Sequence, residues 1–180
     1  MSKKLLKVGL IVSMLIGTIF MLAGCGNTSK KDKEETNKAS EKINKVVGYS
    51  YIEETDDSLL NLNSDNSFQY YRDKDDLKDN YYEGTYKIYQ GQEAVEYITN
   101  DLSSYGITKS ELEDLFKRSS LYSEDNLYCV VLTNNKCIID GKNVQEKPND
   151  TPYYGFYSDV GNLLLVNMKS ANLYNFVKQK

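Results

Sequence analysis

Histidine and tryptophan are absent from the chain, proline occurs twice and cysteine three times. Without histidine the commonest general base and the commonest metal ligand are missing. Histidine-based hydrolytic triads and histidine-bound zinc are thereby excluded. What remains for chemistry is carboxylate, lysine, tyrosine or cysteine. Long apolar runs are also scarce. The longest apolar stretch, Val8 to Ala23, has sixteen residues and no charge, short of the roughly 20 that a spanning helix needs. Among aromatics, five phenylalanines stand against 16 tyrosines. Tyrosine favours strands, where it packs its ring and sends its hydroxyl toward the surface.

The apolar stretch has a definite setting. Lys3, Lys4 and Lys7 precede it and Leu22-Ala23-Gly24-Cys25 closes it. A basic tip, an apolar middle and small residues before a cut are the parts of a secretory signal peptide. The quartet resembles the lipobox of bacterial lipoproteins. The resemblance implies that residues 1–24 are removed and that Cys25 carries a diacylglyceryl thioether as the first mature residue. The protein is then expected to be lipid-anchored on the extracytoplasmic face of a cell membrane, the surface of a Gram-positive cell being the natural setting. The alternative is a short uncleaved anchor helix with an incidental cysteine. Either way the rest of the chain lies outside the membrane.

Charge divides the remainder. Residues 26–45 (GNTSKKDKEETNKASEKINK) hold six lysines against four acids, and only Ala39 and Ile43 are apolar. Such a segment buries too little surface to offset its ordering entropy, so residues 25–45 read as a lipidated cysteine and a disordered tether. Twenty flexible residues reach roughly 25 Å. Residues 46–180 carry 13 basic and 22 acidic side chains. A domain this acidic repels nucleic acid and anionic headgroups alike, so nucleic acid is excluded as a partner and only the tether approaches the bilayer.

From Val46 onward short strands follow one another. Val47–Ile52 is followed by turn residues at Thr55–Ser58, and Leu59–Asn63 alternates as a half-buried strand does. Ser64-Asp65-Asn66 turns the chain into Ser67–Tyr71. Asp73–Asn80 reads as a long polar loop. Tyr81–Tyr89 is a further strand with Tyr82, Gly84, Tyr86 and Ile88 on one face. Two helices interrupt the series. Gln92–Ser103 spaces Ala94, Ile98 and Leu102 four apart. Thr108 then forms a capping box with Glu111, stapled by Ile107 and Leu112. Strands resume at Leu127–Thr133 and Lys136–Asp140 around an Asn134-Asn135 turn, then at Lys142–Gln145 after Asp140-Gly141. Pro148 and Pro152 fall in a loop. Tyr153–Ser158 and Asn162–Met168 form a hairpin, and Asn172–Lys178 is a last strand.

The predicted class is mainly β, an antiparallel meander with two inserted helices. Three segments carry a further likeness. Gly48-Tyr49 with Leu60–Phe68, Glu83-Gly84-Thr85-Tyr86-Lys87-Ile88, and Tyr174-Asn175-Phe176-Val177-Lys178 are similar to the opening, later and closing strands of lipocalin-like domains in small bacterial lipoproteins. The resemblance implies a closed lipocalin-like barrel over residues 46–180, in which closure removes sheet edges. This chain departs from the pattern at Tyr49, where the family usually has tryptophan, and at Asp65-Asn66, which replaces an Asp-Gly turn. A two-layer α+β sheet is the alternative.

Three constellations carry candidate chemistry. The acidic run Asp73–Asn80 offers calcium oxygens at alternate positions, but lacks the glycine and bidentate glutamate of a calcium loop and holds Lys74 and Lys78. A solvated loop is the plainer reading, and no metal site is assigned. Cys129 and Cys137 lie on the side of a membrane that permits disulfides. A two-residue turn between them puts them on opposite faces, whereas a three-residue loop puts them on one; a disulfide and two buried thiols both stay open. The clusters Tyr70-Tyr71, Tyr81-Tyr82 and Tyr153–Tyr157 offer a recognition platform, though alternation sends half of each pair into ordinary packing.

These observations predict a membrane-held module that binds a small molecule, a glycan or an envelope protein, with no cofactor and no catalytic residues. An accessory or sensory subunit of an envelope complex is an alternative. So is a hydrolase acting on cell-wall glycan through two carboxylates, although no acid pair stands out among the 22.

Overall fold

The computed structural model describes residues 45–179. Cys25, the signal segment 1–24 and all but the last residue of the tether lie outside that range. Among the described residues the strands are β1 (Tyr49–Glu53), β2 (Leu59–Leu62), β3 (Ser67–Asp73), β4 (Asp76–Gln90), β5 (Leu127–Ile139), β6 (Lys142–Asn143), β7 (Asn149–Tyr157), β8 (Leu163–Asn167) and β9 (Leu173–Lys178). Two helices, α1 (Gln92–Thr99) and α2 (Lys109–Phe116), lie between β4 and β5. Each long strand pairs antiparallel with the next, and β9 returns to β1 through Tyr51↔Lys178, Ile52↔Val177 and Glu53↔Phe176. Eight strands therefore close into a barrel, and two-residue β6 hangs on the end of β5. Closure satisfies the edges that an open sheet of this length would expose. The barrel, not the two-layer sheet, is the outcome.

Alternation sorts the side chains onto two sides of the wall. Tyr51, Leu60, Leu62, Phe68, Tyr128 and Phe176 belong to a buried cluster inside. The other parity of β5, β7 and β8 supplies Cys129, Val131, Tyr154, Phe156 and Val166, which pack outside against Ala94, Val95 and Ile98 of α1 and Leu112 of α2. The helices thus cover an apolar outer face that water would otherwise meet. The capping box is present: Glu111 N donates to Thr108 Oγ1 at 3.3 Å, and Thr108 N donates to Glu111 Oε2 at 2.9 Å.

The two ends of the barrel differ. The chain enters at one end, where Val46 is fully buried and its carbonyl accepts a hydrogen bond from the Tyr51 hydroxyl at 2.9 Å. β4 ends and β5 begins at this same end, so both helices hang from it. Glu53, Arg72, Asn149 and Asn167 mark the opposite end.

Several sequence expectations are corrected. Asp73–Asn80 is a hairpin rather than a loop, with Asp73 paired to Asp76. Its carboxylates serve the turn: Asp75 N donates to Asp73 Oδ1, and Asp79 N to Asp76 Oδ1. Exposed strand overhangs need no apolar alternation, so polar composition concealed it. Asn134-Asn135 is not a turn either. β5 runs straight through, with Gly84 facing Asn134 and Glu83 facing Lys136, and Asn135 is the extra residue of a bulge. Gly84 permits the close approach, because a Cβ there would lie 1.9 Å from the Thr133 carbonyl oxygen. α1 stops at Thr99 instead of Ser103, the chain continuing through a 3-10 turn at Ser103–Tyr105. Pro152 lies inside β7, and the strand expected over Lys142–Gln145 shortens to Lys142–Asn143.

Candidate ligand cavity

The bulge at Asn135 reverses the parity of β5 toward the open end. Residues directly opposite in an antiparallel ladder share a face. Below the bulge Tyr128, Val130 and Leu132 point inward. Above it the parity reverses, and Cys137 pairs with Tyr82, whose other partner is Tyr70. Tyr70, Tyr82 and Tyr153 therefore all line the inner wall, joined by Tyr174 from β9. The Tyr70 and Tyr82 rings are 6.1 Å apart, those of Tyr153 and Tyr174 are 6.2 Å apart and edge-on, and Tyr174 stacks on Phe176 at 5.6 Å.

These rings surround a cavity of about 610 Å³ whose floor includes Phe68 and Leu132. That volume falls within the range of small-molecule sites. The half of the barrel beneath is filled by the inner cluster, so this is a cup and not a channel. Above the tyrosines the wall becomes polar. Asn134 Nδ2 donates to the Asn149 carbonyl at 2.9 Å and to Thr151 Oγ1 at 3.1 Å, and Lys169 Nζ donates to Asn149 Oδ1 at 2.9 Å. Gln145 reaches the cavity from the segment after β6, which is pinned by Val144 N donating to the Cys137 carbonyl at 2.8 Å. Its own amide donates to the Lys147 carbonyl.

Two cations and one acid stand at the mouth: Arg72, Lys169 and Asp56. Arg72 Nη2 donates to the Tyr82 hydroxyl at 2.8 Å. Among the described residues neither Arg72 nor Lys169 forms an ion pair. The Tyr70 and Tyr153 phenols stay neutral at ordinary pH. Burial chiefly pushes Tyr70 up to about 12 and pushes Tyr153 higher still. Each is thus a hydrogen-bonding group with an apolar face, not an anion.

The sequence candidates fall out as follows. Of each tyrosine pair one member reaches the cavity. Tyr71 and Tyr81 pair with each other on the outer face at 5.6 Å, and Tyr154 lies under the helices. Cys129 and Cys137 are free and buried. They sit on opposite faces of one strand, roughly 25 Å apart at the rise of an extended chain, far beyond disulfide reach. Burial pushes the Cys129 thiol up to about 12, which makes it unreactive near neutrality. Among the described residues no group of three or more cysteines or acids is placed to hold a metal ion. Cys25 lies outside the described residues.

Sequence reasoning missed Asn149, Asn167, Lys169, Gln145 and Tyr174 as a group. Only Tyr174 carried a signal, through its alternation with Phe176. The others come from loop-flanking positions that acquire a common cavity only when the barrel closes. No family model, no curated protein and no solved structure matches this chain.

Proposed function

We propose that this protein is a lipid-anchored binding module whose lipocalin-like barrel takes a small ligand at its open end. The single observation that supports the reading is the cup itself: four tyrosine rings, a polar wall and a volume of about 610 Å³ over a filled floor. A barrel with a purely structural role gains nothing from leaving a cavity of this size at one end, since an unfilled interior forfeits packing.

The signal-like segment and Cys25 supply the other half of the proposal. Cys25 is the lipidated residue, residues 25–45 are the leash, and the leash joins the barrel at Val46, on the end opposite the cup. The leash then meets the barrel away from the mouth and leaves the cup unobstructed.

Both halves are testable with the full-length chain. Expressed in a Gram-positive host with an alkynyl palmitate, the protein should take up label and Cys25→Ser should not; unchanged labelling of the serine variant rejects the anchor. In detergent micelles, amide resonances of Thr151, Asn167 and Tyr174 should move when a panel of neutral hexoses, anionic hexoses, aromatic acids and dipeptides is titrated. No movement with any member rejects the binding reading.

A further inference from the structure

We infer that the ligand of the cup is an anionic saccharide, a hydroxyl-rich ring bearing a carboxylate or a phosphate. The inference rests on the ligand-binding reading above and sharpens it. Three observations carry it.

The first is charge. Residues 46–180 hold 22 acids against 13 bases, yet the cavity lining reverses that balance, with Arg72 and Lys169 against Asp56 alone. Neither cation is neutralised by an ion pair among the described residues. Arg72 is held in place through Tyr82, and Lys169 through Asn149, each by one bond of several it can donate. Two positioned cations without an ion-pair partner give the mouth of the cup a basic rim in an otherwise acidic domain, which suits an anionic ligand.

The second is the polar wall. Among Asn134, Gln145 and Asn149 one amide end of each is engaged, and the opposite ends carry no partner among the described residues. Two acceptors and one donor set are therefore left. A sugar hydroxyl donates and accepts at once, and so fits mixed amide ends better than a flat aromatic acid does.

The third is the tyrosines. Their faces offer apolar area with little conformational entropy to lose, suited to the C–H face of a pyranose. Their hydroxyls add further hydrogen bonds. A lipid would use the rings but leave the amides and cations unpaired, and burying unpaired polar groups is costly.

The test uses the full-length chain in detergent micelles, followed by amide resonances, with glucuronate, glucose 6-phosphate and glucose as probes. At least one anionic sugar should bind with an affinity about 10-fold or more above that of glucose, and the ranking of the two anions tells carboxylate from phosphate. The joint substitution Arg72→Gln and Lys169→Gln should lower the affinity for the preferred anionic sugar about 10-fold and so remove the preference over glucose. If glucose binds as well as both anions, or if only aromatic acids or dipeptides move the cavity resonances, the saccharide inference is overturned and the binding reading stands. If nothing in the wider panel moves them, both fall.

Discussion

Arg72 and Tyr82 are joined across β3 and β4 at the mouth of the cup. The guanidinium Nη2 donates to the phenol oxygen at 2.8 Å while its carbon stands 5.6 Å from the centroid of the same ring. A tyrosine that lines the cavity thus also fixes the direction of the cation above it. Tyr82→Phe keeps the ring and releases the guanidinium. Because a hydrogen bond to a charged group is worth about 1.5–3 kcal/mol and this one is exposed, loss near the lower end is expected. The melting temperature should fall by a few degrees, and binding of an anionic sugar should weaken by up to about 10-fold as the guanidinium loses its fixed direction. Titration calorimetry and a thermal melt together check this.

Glu53 is a buried carboxylate that forms no ion pair among the described residues. Burial pushes its pKa up, but the Thr55 hydroxyl and the N–H groups of Thr55, Asp56 and Asn175 outweigh that and hold it below the usual range. A folded pKa below the unfolded value means that the unfolded chain binds the proton more readily. Its stabilisation is therefore complete above the unfolded pKa, about 4.3, and is lost as pH falls through the folded one. Glu53→Gln should cost about 2 kcal/mol at pH 7 and should blunt the acid limb of a plot of stability against pH. Urea unfolding from pH 7 down to 3 reads both.

The tyrosines predict the opposite limb. Burial pushes Tyr70 and Tyr128 up to about 12, against about 10 for an unfolded tyrosine. Between those values the unfolded chain has released protons that the native one retains, so stability falls as pH rises. Tyrosinate absorbance should rise in a cooperative step above the ordinary phenol value of about 10, together with loss of the near-ultraviolet circular dichroism.

Gly155 tests the barrel wall. It pairs with Tyr128 and Leu165, and a Cβ there would lie 1.7 Å from the Leu164 carbonyl oxygen. That neighbour is backbone and cannot rotate away, so β7 and β8 must separate. Gly155→Ala should destabilise the protein by more than about 3 kcal/mol, visible in a denaturant midpoint.

The sequence reading reached the meander because most strands alternate, and it placed α2 because Thr108 and Glu111 sit three apart before an apolar stripe. It failed at Asn134-Asn135, where a turn and a bulge use the same residues and only the partner strand decides between them. If β5 ended at Thr133, the reversal that turns Cys137 inward to face Tyr82 would not follow. The tyrosine pairs were legible as candidates, but which member faces inward depends on a register that local sequence does not carry. The amides and Lys169 were not legible at all, because their shared cavity exists only once β7, β8 and β9 close against β3 and β4.

Placing a reporter in the cup tests the central claim most directly. Because the chain has no tryptophan, Tyr174→Trp puts a single indole on the cavity wall, and Tyr49→Trp puts one at the closed end, where Tyr49 is exposed beneath Lys178. Titrating both full-length variants with glucuronate and glucose 6-phosphate should give a saturable change in emission for Tyr174→Trp and none for Tyr49→Trp. A flat response at Tyr174→Trp, or an equal response at both positions, would contradict the account.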